Sequence, residues 1–177
     1  MVAVALTGAS GAQAVEREHQ IGMDLGGTFL VVGDKPSPDI GATLGVHYVY
    51  GLTDEFRLVA SGTVSPVSPS EKPPSPVVPS DRPAGLAELD VGLGYVFDVL
   101  RWVPYIDVLG SGYALFGGSI GGSPRIIPGI SLALGLDYRL DRTWSVGACL
   151  RQSMLAEPST YPSVTQALAH VDVHWGW

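Results

Sequence analysis

The chain has 177 residues, enough for one domain with a single core. Only 15 % of them are charged, against about 25 % in soluble domains, and 23 are glycine, against about 7 % in an average chain. The hydrophobic content of 46 % excludes general disorder, a net charge of −7 without a basic cluster excludes nucleic acid, no apolar run reaches 18 residues to make a spanning helix, and the single Cys149 excludes an intrachain disulfide or a cysteine-rich zinc site.

In chain order, Val2 to Leu6 is a short apolar piece and Ala12-Gln13-Ala14 is an A-x-A cleavage pattern. Residues 1–14 therefore read as the tail of a signal peptide whose start codon lies upstream, with 15–177 as the mature barrel domain. From there the pattern is alternation, the mark of strands with two unlike faces. In the first strand Ile21, Met23, Leu25, Phe29 and Val31 oppose Gly22, Asp24, Gly26 and Thr28. In the second Ile40, Ala42, Leu44, Val46, Tyr48 and Tyr50 oppose Gly41, Thr43, Gly45 and His47. The third sets Phe56, Leu58, Ala60 and Val64 against Arg57, Ser61 and Thr63. The fourth sets Leu89, Val91, Leu93, Tyr95 and Phe97 against Glu88, Asp90, Gly92 and Gly94. A fifth, about 103–116, has Asp107 on its polar face and blurs beyond Gly110, which suggests a bulge or register shift. The sixth opposes Ile130, Leu132, Leu134, Leu136 and Tyr138 to Ser131, Asp137 and Arg139. The seventh opposes Trp144, Val146 and Leu150 to Ser145, Gly147 and Arg151, and the last opposes Val171, Val173, Trp175 and Trp177 to His170, Asp172 and His174. Connections alternate between short turns and longer, proline-bearing loops; residues 65–85 form the longest, rich in Pro and Ser and without a core of its own. The pattern is an all-β, antiparallel up-and-down barrel of eight strands.

Alternation alone fits a soluble lipocalin-like carrier, apolar inside, as well as a membrane barrel, apolar outside. The second is favoured because no Asp, Glu, Lys or Arg falls on the apolar faces and the opposite face is rich in small residues. The aromatics also gather at one end. Tyr48, Tyr50, Phe56, Tyr95, Phe97, Trp102, Tyr105, Tyr138, Trp144, Trp175 and Trp177 lie beside short turns or the C-terminus, as an interfacial girdle would. Phe29, Tyr113, Phe116 and Tyr161 make a thinner ring at the other end.

On these features, with the alternating Val171, Val173, Trp175 and Trp177 and the turn from Tyr50 to Phe56, the chain resembles the small bacterial outer-membrane β-barrels: the OmpA transmembrane domain, OmpX-like and opacity-type proteins. The resemblance implies an outer-membrane monomer surrounded by lipid and lipopolysaccharide. It also implies that the final strand signals to the barrel assembly machinery, with short turns periplasmic and loops extracellular. On this reading no peptidoglycan-binding domain is expected after the barrel.

The candidates for chemistry are the lumen-facing ionisable residues Asp24, His47, Arg57, Glu88, Asp90, Asp107, Asp137, Arg139, Arg151, His170, Asp172 and His174. Opposite charges on neighbouring strands satisfy one another, so the expectation is a structural polar plug. A metal site of Asp24, His47, His170 and His174 is chemically conceivable, but its spacing is nonspecific. No His lies on an apolar face, as a lipid A deacylase would require, and Gly110-Ser111-Gly112 lacks the strand-to-helix setting of a nucleophile elbow. The expected role is structural or interactive, without catalysis or cofactor. The alternative is a narrow channel through space left by the lumenal glycines.

Overall fold

The computed structural model describes residues 17–33, 38–68, 82–97, 101–118, 120 and 122–176. The expected leader at 1–14, most of the Pro/Ser-rich segment and Trp177 lie outside them. Eight strands, β1 (His19–Val31), β2 (Asp39–Gly51), β3 (Phe56–Ser68), β4 (Gly85–Val96), β5 (Trp102–Phe116), β6 (Arg125–Arg139), β7 (Trp144–Leu155) and β8 (Ser163–Trp175), pair in sequence order and close into a barrel. Every pairing is antiparallel, and β1 completes the ring against β8 from His19↔Trp175 to Val31↔Ser163. No helix among the described residues is long and apolar enough to cross a membrane.

The strands reach further toward the long loops than the sequence suggests. β3 carries Ser65, Pro66 and Val67 within its ladder, and β6 begins at Arg125. Nor does β5 contain the anticipated bulge. Its register runs unbroken from Gly85↔Phe116 to Val96↔Tyr105 on one side and from Trp102↔Tyr138 to Leu115↔Arg125 on the other. The alternation only looks blurred because bulky Leu109, Tyr113 and Leu115 point inward while small Gly110, Gly112 and Ala114 point outward.

Two of the short turns share one construction. Leu52 and Thr53 donate their N–H groups to the Phe56 carbonyl, and the Thr53 hydroxyl accepts from Phe56 N at 3.0 Å. Likewise Leu140 and Asp141 donate to the Trp144 carbonyl, and Asp141 Oδ1 accepts from Thr143 N at 2.7 Å and Trp144 N at 2.8 Å. A short polar side chain thus supplies a local acceptor where the ladder ends.

The apolar face is outside. Met23, Leu25, Val46, Leu89, Val91, Ile130 and Leu150 are all exposed, and no Asp, Glu, Lys or Arg of the described strand residues projects among them. Such a continuous apolar surface is untenable in water and fits a hydrocarbon environment. Trp102 packs on Tyr138 at 4.7 Å between ring centroids, Phe56, Tyr95 and Phe97 form an edge-to-face chain, and Trp175 stacks on His19 at 5.5 Å. These rings belt the short-turn end, where an aromatic surface suits the membrane–water boundary.

Val91 sits mid-strand on this surface and is 65 % exposed. Val91→Arg is expected to cost about 2–4 kcal/mol in the unfolding free energy measured by urea titration in lipid vesicles. Leu52→Arg, in a short turn, is expected to cost about 0–1 kcal/mol.

Candidate functional site

An eight-stranded barrel is just wide enough for side chains to fill, and the interior here is filled in layers. At the long-loop end Leu30, Val32, Val67, Leu86, Tyr113, Leu115, Ile127, Leu155, Tyr161 and Val164 form one apolar cluster. Tyr113 and Tyr161, expected in an outer aromatic ring, are fully buried members of it; Phe29 and Phe116 do face outward. Below it the hydroxyls of Thr28, Thr43 and Ser65 bond one another, with Ser65 Oγ 3.0 Å from Thr28 and 2.8 Å from Thr43.

The next layer is built on Arg151 from β7. Its guanidinium donates to Asp90 at 2.6 Å and to Ser61 at 3.2 Å, and lies 3.8 Å from Glu88. Ser61 donates to Asp90 at 2.9 Å, and the Tyr113 hydroxyl donates to Glu88 at 2.5 Å. Toward the short turns, Arg57 makes a two-pronged pair with Asp107 at 3.0 and 2.8 Å and lies 3.8 Å over the Tyr105 ring. Tyr105 is therefore a lumen residue and not part of the outer girdle.

Beside that pair, His47 contacts Asp24 and Asp172, each at 3.0 Å, through its two ring nitrogens. His170 Nε2 stands 2.7 Å from Asp137 and 3.7 Å from Asp172. At the short-turn end Glu18 lies 2.7 Å from Arg139 and 2.8 Å from His174 Nδ1. Burial by itself would raise the Glu18 pKa. The His174 contact and the Arg139 charge outweigh it and hold the carboxyl below its ordinary value.

Ser145, His174 and Glu18 have the order of a nucleophile, base and orienting acid, with Ser145 Oγ 2.7 Å from His174 Nε2. The arrangement does not suit acyl transfer. Ser145 is fully buried, it also donates to Asp172 at 2.9 Å, and the adjoining cavity of about 20 Å³ has room for water and none for an ester.

Four lumenal glycines, Gly22, Gly94, Gly135 and Gly147, are sockets for side chains, whereas Gly26, Gly41 and Gly92 face the backbone of a neighbouring strand. A Cβ at Gly135 would lie 2.0 Å from the Tyr105 ring, and one at Gly94 would lie 2.0 Å from Asp107. At these two positions the space is taken by a side chain reaching across from the next strand.

No family model and no curated protein matches this sequence. Solved structures do match its fold. The neisserial surface protein A barrel superposes with a TM-score of 0.62 at 14 % identity, over 90 % of this chain and 97 % of that one. The N-terminal β-barrel domain of Pseudomonas aeruginosa OprF gives the same score and identity over 90 % and 98 %. Ail, the attachment invasion locus protein of Yersinia pestis, gives 0.56 at 14 % over 90 % and 99 %. The chain has the fold of the eight-stranded outer-membrane barrels. At that level of identity the likeness concerns architecture, and the lumen described above is this barrel's own.

The residues singled out from the sequence fall into two places in the barrel. Asp24, His47, Arg57, Glu88, Asp90, Asp107, Asp137, Arg139, Arg151, His170, Asp172 and His174 all point into the lumen or its short-turn mouth, in the pairs given above. Tyr48, Tyr50, Phe56, Tyr95, Phe97, Trp102, Tyr138, Trp144 and Trp175 point outward at the short-turn end, as Val171 and Val173 do along β8. Sequence reasoning missed three contributors. Glu18 lies just before the first strand, and only barrel closure brings it to Arg139 and His174. His19 precedes the alternating run, yet it opens β1 on the outward face, with its Nδ1 2.7 Å from the Tyr48 hydroxyl and its ring stacked on Trp175; this corrects the expectation that no His lies on an apolar face. The apolar cap was missed because its members sit at lumen positions by parity alone.

Arg151→Ala strands the buried carboxylates of Asp90 and Glu88. It is expected to destabilise the barrel by about 3–5 kcal/mol in urea unfolding. Arg125→Ala, at the half-exposed Arg125–Glu157 pair, is expected to cost about 1 kcal/mol or less.

Proposed function

We propose that this chain is a non-catalytic barrel of the bacterial outer membrane whose closed interior holds it rigid while its long loops meet the surroundings. The observation that carries this reading is the apolar cap. Leu30, Leu86, Tyr113, Leu115, Ile127, Tyr161 and Val164 are each 0 % exposed at the loop end of the lumen. Side chains packed to that degree leave no path for a hydrated ion. The pairing of charges beneath the cap supports a structural plug. In this reading the barrel is a monomer bounded by lipid and lipopolysaccharide, delivered by the barrel assembly machinery. Its role is envelope integrity or presentation of the Pro/Ser-rich segment 69–81.

A narrow channel is the second reading. It draws on two small cavities in the short-turn half, of about 20 and 30 Å³, that share Gln20, Val49, Arg57 and Asp137. They lie below the cap.

Planar-bilayer recording separates the two. The purified barrel is expected to be silent, and the pair Tyr113→Ala with Tyr161→Ala to pass current. A steady open state in the unaltered protein, altered by Arg57→Ala, overturns the closed-lumen reading. Deletion of 69–81 is expected to leave folding unchanged, shown by the gel mobility of unboiled samples, and to reduce attachment of whole cells to lipopolysaccharide-coated or host surfaces. Unchanged attachment removes the loop from the proposal.

A further inference from the structure

Beyond its structural role, the lumen holds a set of donors that pairing among side chains does not fully account for. Asp137 of β6, Gly147 of β7, His170 of β8 and Asp24 of β1 stand in one row across the sheet. Because Gly147 has no side chain, Asp137 and His170 meet over it. A Cβ there would lie 2.2 Å from Asp137 Oδ1 and 2.3 Å from His170 Nε2. In the adjacent row Gly22 makes the same opening between Asp172 and His47. Asp137, His170 and Asp172 consequently bring one ligand atom each within 4.8 Å of one another.

Charge points the same way. The carboxylates of Asp24, Asp137 and Asp172 share two imidazoles, His47 and His170. The lumenal guanidiniums are engaged elsewhere, Arg57 with Asp107, Arg151 with Asp90 and Arg139 with Glu18. Burying surplus negative charge is costly, and a divalent cation relieves it. A cavity of about 30 Å³ against Asp137 and His170 offers room for a water ligand.

We propose that Asp137, His170 and Asp172 form a binding site for one divalent transition ion of the zinc class, entered from the short-turn end of the lumen. One imidazole nitrogen, two carboxylate oxygens and a water make a tetrahedral set of the type such ions accept. The donors of a set with bonds of about 2.0–2.2 Å stand roughly 3.4 Å apart. His170 Nε2, at 2.7 Å from Asp137 and 3.7 Å from Asp172, needs only side-chain adjustment to reach that spacing. Asp24, 4.0 Å from the other ring nitrogen of His170, is a positioning residue that fixes the ring once the ion is held.

The test uses the folded barrel in detergent micelles, titrated with Zn²⁺ by calorimetry and with paramagnetic Co²⁺ by NMR of the histidine rings. One ion per chain is expected, with Co²⁺ broadening His170 before the partly exposed His19 of the aromatic belt. His170→Gln is expected to abolish binding, and Asp24→Asn to weaken it about 10–100-fold. Absence of binding overturns the proposal. So does broadening centred on His19, or binding unchanged in His170→Gln. The NMR measurement needs only the unaltered protein, so it decides the matter even if His170→Gln fails to fold.

Discussion

The pairing of β1 with β8 is the constraint on which the rest depends. Hydrocarbon offers no partner to a backbone N–H or C=O, so an open sheet edge cannot be left in it. The continuous register from His19↔Trp175 to Val31↔Ser163 removes both edges at once. Closure also creates the lumen, because parity then divides every strand into a side that meets lipid and a side that meets seven other strands. The outward side has one chemical requirement, apolarity. The inward side must fill a fixed volume and satisfy every polar group placed there.

That difference explains what was legible in the sequence. Apolarity at every second position is a local property, visible in Ile130, Leu132, Leu134 and Leu136 without knowledge of neighbours. Hence the strand count, the closed up-and-down order and the direction of the apolar face could all be read. The apolar cap was not legible, since Leu30, Leu86 and Tyr113 carry no mark that separates a lumen-filling side chain from a lipid-facing one. In β5 the two faces nearly exchange character toward the loops, and a regular strand looked irregular. Partnerships across several strands, such as Arg57 with Asp107 or Arg151 with Asp90, depend on barrel curvature and side-chain reach.

The glycines show how the inward side is solved. Each socket belongs to a particular large neighbour: Gly135 to Tyr105, Gly94 to Asp107 and Arg57, Gly147 to Asp137 and His170. A high glycine content usually signals loops and lost order. In this interior it permits charged and aromatic side chains to lie across the sheet and reach partners more than one strand away. The low charge fraction has a matching explanation, because the barrel's ionic groups are concentrated where they meet one another.

The cluster at the short-turn mouth has a consequence for assembly. Glu18 precedes the first strand, Arg139 ends the sixth and His174 lies near the end of the eighth, yet Glu18 stands within 2.8 Å of both. None of these contacts can form while the sheet is open between the first and last strands. The cluster thus works as a clasp that fastens only when the last strand has met the first, coupling relief of buried charge to completion of the ring.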